Sequence, residues 1–389
     1  MALRYAYIKN GDAVSQARRI VSGEYDASGP NAFIGDFMRA HARDELLILC
    51  QWHSAEEFRA GRVYARSYSM GTNGLSRLWL RIGSMLAIGF RLLRWRPDRI
   101  VCGCIGEQLW ISVLVAKLLR TPIVCTRHSG LVERKGVRGL TPWLDRLSIR
   151  ACDAVATHGP FLAAQVAALG VPPAHIHEFD VDLSGFGTRA SENALSSEHA
   201  ALLKQFALVF MYVGRIQADK GVLDLLEAFA RLADVNAGLA YIGTGKDSDA
   251  LARAVTRHGL GSRVRLLGAL PHAQLAALAR RANAIVTPTR PDLIEGRCMV
   301  ALESLVLGVP VIAPDFAAFP YVIRHGDNGL LYQAGNIDAL ATAMREIATN
   351  PQRLAELRAG AIRSGDHLRS GFTSFSRAID AAFSTTVAS

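Results

Sequence analysis

Short apolar runs alternate with helical patterns along most of this 389-residue chain, and the alternation breaks once, at the polar stretch Gly185 to His199. Tyr5 to Lys9, Leu46 to Gln51, Arg62 to Tyr68, Ile100 to Cys104, Pro122 to Thr126 and Ala154 to Thr157 read as strands. Helical patterns lie between them, at Asn31 to Ala40, Leu75 to Trp95, Gln108 to Arg120, Pro142 to Cys152 and Pro160 to Leu169. Strands apolar on both faces need cover on both, so this order means a parallel sheet between helical layers. After the break the alternation resumes to about Ile347, and helices follow at Pro351 to Ser364 and Phe372 to Phe383. The length exceeds what one core usually supports. We therefore expect an α/β protein of two doubly wound domains, 1–185 and 200–365, with 366–389 as a C-terminal helical segment.

In such domains ligands gather at the carboxyl ends of the strands, and two loops of the second half carry chemistry there. Tyr212-Val213-Gly214-Arg215-Ile216-Gln217-Ala218-Asp219-Lys220-Gly221 is a strand ending in glycine, a loop with two cations five positions apart, then a helix from Val222. Glycines let a backbone approach a ligand closely, and two cations suit a diphosphate; an ordinary loop capped by Asp219 has the same pattern. Glu295-Gly296-Arg297-Cys298-Met299-Val300-Ala301-Leu302-Glu303 sets two carboxylates eight positions apart, ahead of the strand Val309 to Ala313. With a helix starting near Arg297 they lie roughly 12 Å apart along its axis. One can then accept hydrogen bonds from a sugar and the other from a ribose, with phosphates at the helix N-terminus between them. Taken alone, such a pair is more often the solvated face of an amphipathic helix.

Together these segments resemble the C-terminal domain of the retaining glycosyltransferases of family 4, which have the GT-B fold. The resemblance runs from about Val209 to Ile347. It includes the Gly214-Arg215-x4-Lys220-Gly221 loop, Tyr241 to Gly245, Val264 to Gly268, the helix Ala273 to Ala282, the strand Ala284 to Pro288, the two-glutamate block and Gly326 to Leu331. It implies two Rossmann-like domains facing across a cleft, the first binding acceptor and the second donor, with the last helix crossing back to the first. The donor site it implies comprises Gly214, Arg215, Lys220, Gly268, Glu295, Arg297, Cys298, Met299, Val300 and Glu303. Arg215 and Lys220 would hold the leaving phosphate, Glu303 the ribose and Glu295 the sugar. His128, closing the segment from Pro122, resembles the active-site histidine of the family, and would complete a catalytic set with Glu295, Arg215 and Lys220. A strand-end histidine bonded to backbone is the plainer account of it. Arg127, Arg134 and Lys135 lie close in sequence and suit an anionic acceptor, although a solvated basic loop has the same composition; Gly29 is a weak match to the family's acceptor-side glycine loop.

The sequence departs from the pattern in four places. Cys298 stands where the family has a small residue, often glycine. Ala317-Ala318 replaces a Gly-Gly pair, Phe179-Asp180-Val181-Asp182 replaces Asn-Gly-Val-Asp, and Asn10 to Gly29 intervenes between the first strand and the next helix. The implied activity is retaining transfer from a UDP- or GDP-sugar to a hydroxyl of a sugar or lipid-linked acceptor, in bacterial cell-surface polysaccharide, lipopolysaccharide or glycolipid synthesis. The alternatives are an epimerase or phosphorylase on the same fold, or a non-catalytic nucleotide-binding scaffold.

Asp180-x-Asp182 and Asp247-x-Asp249 look like metal-binding pairs, but two fixed cations and a helix dipole can neutralise the diphosphate, so no metal or other cofactor is expected. Gly243-Thr244-Gly245 lacks the third glycine of a dinucleotide fingerprint. The six cysteines show no C-x2-C pairing and no histidines at zinc spacing, and they read as reduced core residues of a cytoplasmic protein. Arginines and lysines interrupt every long apolar run, so no bilayer span is expected. Between Arg59 and Arg150 there are 17 Lys or Arg against four acids, within a chain of net charge +10. The helix Leu75 to Trp95 mixes these arginines with aromatic residues, which makes the inner face of the cell membrane a candidate peripheral partner. An equally good account is a core helix with arginines outside. No nucleic-acid module accompanies the charge, so nucleic acid is not an expected partner.

Overall fold

The computed structural model describes residues 2–24, 32–69, 74–130, 140–187 and 205–387. It divides into two compact units, Met1–Val181 with Thr373–Ser389, and Asp182–Phe372.

In chain order the first unit holds β1 (Arg4–Asn10), α1 (Ala13–Val21), α2 (Ala32–Ala40), β2 (Glu45–Trp52), β3 (Glu57–Ala60), β4 (Val63–Ser69) and α3 (Gly74–Trp95). It continues with β5 (Arg99–Cys102), α4 (Glu107–Leu119), β6 (Ile123–Arg127), α5 (Leu140–Ala151), β7 (Ala154–His158), α6 (Pro160–Ala168) and β8 (Ile176–Phe179). The second unit holds β9 (Leu208–Val213), α7 (Val222–Ala230), β10 (Ala237–Ile242), α8 (Ser248–Arg257), β11 (Val264–Leu266), α9 (His272–Ala279) and β12 (Ala284–Val286). Then come α10 (Met299–Val306), β13 (Val311–Pro314), β14 (Gly329–Tyr332), α11 (Ile337–Thr349) and α12 (Pro351–Ser370). The last helix, α13 (Phe375–Val387), belongs to the first unit.

The first sheet runs β3-β4-β2-β1-β5-β6-β7-β8, parallel except for β3 against β4. The second runs β11-β10-β9-β12-β13-β14, parallel throughout. Successive side chains of a strand point to opposite faces, and in β1 this divides the core of the first unit. Tyr5 and Tyr7 join Ile34, Phe37, Phe375 and Phe383 on the face covered by α2 and α13, while Ala6 and Ile8 join Ile88, Leu92 and Leu109 on the face covered by α3 and α4. In the second unit Phe210 packs with Leu225 and Met344, and Met211 with Leu278.

Several boundaries differ from the sequence expectation. Asn10 to Gly29 is not a plain intervening loop: it carries α1, capped by Asp12, whose carboxylate accepts from Ser15 N–H at 3.0 Å. An expected break after Ser364 is absent, because Gly360 and Gly365 sit inside α12 for close packing. A Cβ at these positions would lie 2.1 Å from the Asp327 oxygen and 2.3 Å from the Leu305 oxygen. The boundary at 365/366 therefore falls within one helix, and the chain passes to the first unit at Thr373. Most of the Gly185 to His199 stretch lies outside the described residues.

Candidate active site

In the second unit the diphosphate loop leaves β9 at Gly214, whose φ of 149° is open to glycine. Here the backbone of one strand end lies on another: Gly214 N–H donates to the Ile242 carbonyl and Ile216 N–H to the Thr244 carbonyl. A Cβ on Gly243 would stand 1.9 Å from the Gly214 oxygen. Asp247, from one of the Asp-x-Asp pairs, accepts Ala218 N–H at 2.8 Å and so fastens this loop. Gly268, also at positive φ, accepts Gly243 N–H at 2.7 Å.

The loop ends in a short 3₁₀ turn, Ala218–Lys220, and Gly221 caps α7 at φ 69°. A Cβ there would lie 1.8 Å from the Pro288 carbonyl oxygen at the end of β12. Gly221→Ala should lose ~3 kcal/mol of stability, from left-handed strain plus overlap. Gly259, also left-handed but with open space around it, supplies the control. Gly259→Ala should lose only about 1 kcal/mol in the same denaturant titration, and equal losses would count against the close approach.

That approach brings Lys220 to the two-glutamate block. Its Nζ donates to Glu295 Oε1 at 2.7 Å, and the buried Thr289 hydroxyl donates to the same oxygen at 2.7 Å. Arg290 clamps the β12 loop through two 2.6 Å bonds to Asp224 of α7. Arg215 is exposed, and enters no ion pair among the described residues. The helix starts at Met299, two residues later than the sequence suggests, with Cys298 as its cap residue. Amide groups at such a terminus have no helical acceptors. The Cys298 side chain is 3% exposed, and burial, aided by the Glu295 charge, pushes its thiol far up, so it stays neutral.

Glu303 lies one turn into α10, half-buried, and burial raises its carboxyl to about 7. No hydrogen bond or ion pair reaches that carboxylate among the described residues. Not every expected donor residue gathers with these. Arg297 lines a separate cavity of about 320 Å³ with Leu302, Tyr321, Arg324, Arg363 and His367, a lining that includes neither glutamate and not Lys220. At the Ala317-Ala318 departure, Ala317 adopts φ 52°, a left-handed conformation open to glycine and costing roughly 1–2 kcal/mol for another residue.

In the first unit His128 follows β6 and sits among Phe33, Phe179 and Phe375, with ring centroids 4.7, 5.2 and 5.7 Å away. Its Nε2 lies 3.3 Å from the Thr126 hydroxyl, a side-chain partner where a bland reading expects backbone. Burial, helped by the nearby charges of His158, Lys9 and Arg127, lowers its pKa to about 3, so the imidazole is neutral. Arg127 is buried; it donates to the Ser129 carbonyl at 3.2 Å while its Nε has no partner among the described residues. Gly29, Arg134 and Lys135 lie outside the described residues. Lys9 and Thr289 were missed from sequence. Both stand at or just past the carboxyl end of a strand, which was the available signal, and burial lowers Lys9 to about 8 while its Nζ donates to Gln16 at 2.5 Å.

The family described as "Glycosyl transferases group 1" matches residues 198–364, and the "Glycosyl transferase 4-like domain" matches residues 28–179. D-inositol 3-phosphate glycosyltransferase 1 of Catenulispora acidiphila is 30% identical over 277 residues, a stretch covering 65% of this chain and 64% of that relative. Among solved structures, the α,α-trehalose 6-phosphate synthase of Burkholderia multivorans superposes with a TM-score of 0.74 at 15% identity, covering 100% of this chain and 97% of that one. HepE of Anabaena in complex with UDP and glucose superposes at 0.69 and 16% identity, covering 98% and 100%. With two parallel-sheet units and both family matches in order, the chain belongs to the family-4-like glycosyltransferases of GT-B fold.

Proposed function

We propose that this protein transfers a sugar, with retention of anomeric configuration, from a nucleotide diphosphate sugar to a hydroxyl acceptor. The observation that carries the reading is Glu303, a half-buried carboxylate without a partner among the described residues, on the helix whose N-terminus follows the Lys220–Glu295 pair. A ribose diol offers two donors to such a group, and the helix N-terminus with Arg215 and Lys220 offers positive charge to the diphosphate. Glu295, held by Lys220 and Thr289, keeps its second oxygen for hydroxyls of the transferred sugar. His128 serves the transfer as a neutral imidazole. The UDP complex among the similar structures supports a nucleoside diphosphate of this kind over a dinucleotide.

For the acceptor, the relative named for D-inositol 3-phosphate and the structure named for trehalose 6-phosphate favour a molecule with an anionic group. Arg127 supports this, being a buried cation whose Nε has no partner among the described residues. A lipid-linked or cell-surface glycan acceptor is kept as the biological setting.

The leaving phosphate is neutralised by side chains and backbone dipoles in this proposal, so transfer or donor hydrolysis should survive excess EDTA. Complete loss on chelation with recovery on Mn²⁺ or Mg²⁺ would refute metal independence. Carbon-13 NMR of the product should give the donor's anomeric configuration, and an inverted product would refute retention.

A further inference from the structure

We propose that the outer face of α3, α4 and α5 docks on a bilayer of anionic lipid. The core accounts for one side of α3 only. Ser84, Ile88 and Leu92 are buried, the last two within the core of the first unit. A second apolar stripe runs along the same helix at Trp79, Ile82, Leu86, Phe90 and Leu93, at three- and four-residue spacing that keeps it on one side. Trp79 is 69% exposed, Leu86 58% and Phe90 68%. Leu114 and Leu118 of α4 and Trp143 and Leu147 of α5 are exposed as well, and α4 packs on both neighbouring helices. With Leu80 and Ile105, eleven of the fifteen large hydrophobic side chains exposed among the described residues fall on this one layer. Scattered apolar residues need no explanation, but a concentrated set marks an interaction surface.

The charges on the layer select the partner. α3 carries four arginines and no acid. The two acids of α4 and α5 are engaged: Glu107 takes two 2.7 Å bonds from Arg81, and Asp145 accepts from Gly106 N–H and Trp110 Nε1 at 2.8 Å. Arg94, Arg96, Arg120 and Arg150 are exposed and enter no ion pair among the described residues. The complement is a surface both apolar and negative, which a layer of acidic phospholipid provides. A second copy would bring the same positive sign to the contact and be repelled. This inference rests on the first unit alone, independently of the donor site.

The test is flotation of the full-length protein with pure phosphatidylglycerol or pure phosphatidylcholine vesicles. Binding to phosphatidylglycerol should be far stronger, and should fall between 0.1 M and 1 M salt as the screening length shrinks from about 10 Å to about 3 Å. Changing Leu86→Asn and Phe90→Asn together should weaken it at least ~10-fold. Arg94→Gln with Arg96→Gln should weaken it by about fivefold per arginine and flatten the salt dependence. These are surface positions, so unchanged unfolding midpoints will show that both variants are folded. Absence of wild-type binding to phosphatidylglycerol would overturn the proposal. So would variants that bind like wild type, or a wild-type dimer in light scattering that the Leu86/Phe90 variant abolishes without any vesicle binding.

Discussion

Lys220→Ala and Arg215→Ala are each expected to lower turnover at least tenfold while the protein stays folded. A tenfold loss is about 1.4 kcal/mol of barrier, and removing a preorganised charge from a developing anion commonly costs more. The two should differ in kind. Arg215 is exposed and forms no ion pair among the described residues, so its removal subtracts its contact with the ligand. Lys220 also fixes Glu295 at 2.7 Å. Without it the carboxylate keeps only the Thr289 hydroxyl and can swing from its sugar-binding position. Lys220→Ala should therefore be the more damaging in kcat, and Glu295→Gln should lower turnover with little change in affinity for free nucleoside diphosphate. Near-normal turnover in a folded Lys220→Ala protein would defeat the assignment of the diphosphate clamp.

Glu303→Gln should produce opposite effects on binding and on stability. The carboxylate accepts from a ribose diol best when ionised. Since the free protein holds it at about 7, affinity for a simple nucleoside should fall as pH drops below about 7. Using a nucleoside avoids the titration of phosphate. The glutamine variant should bind at least tenfold more weakly at pH 8, a loss of about 1.4 kcal/mol, and show no such pH dependence. Stability runs the other way. Burial raises this carboxyl above its unfolded value of 4.5, so the folded state binds more protons between that value and about 7, and stability falls as pH rises through the window. Glu303→Gln removes the penalty. It should be more stable than wild type at pH 8 by on the order of 1–3 kcal/mol, with the difference vanishing towards pH 4. A variant that binds weakly and is also destabilised at pH 8 would make Glu303 a structural residue.

The strands were legible because buried parallel strands carry apolar residues on both faces, as Ile123, Val124 and Cys125 of β6 do. The helix α1 escaped notice because only Ala13, Val14 and Ala17 of its nine residues are buried, too thin a stripe to stand out from a polar loop. The helix α12 runs past the expected end at Ser364 to Ser370, and the missing side chains of its Gly360 and Gly365 admit the backbone of Asp327 and Leu305. Lys220 and Glu295 were each singled out from their own motifs. That they bond to one another was not legible, since 75 residues separate them and the segments meet through the pairing of β9 with β12, the fit of Gly221 against Pro288 and the Arg290–Asp224 bonds. The basic composition of Arg59 to Arg150 pointed to a charged surface. The second apolar stripe of α3 appeared only once the core had claimed the first.

The most direct test of the central claim is a donor screen, in which the protein is incubated with isotopically labelled UDP- and GDP-sugars and release of free sugar is followed. We predict hydrolysis of one donor class, with the activity lost in Lys220→Ala and the nucleotide affinity reduced in Glu303→Gln. Failure of every UDP- and GDP-sugar to bind or to be hydrolysed by the folded wild-type protein would contradict it.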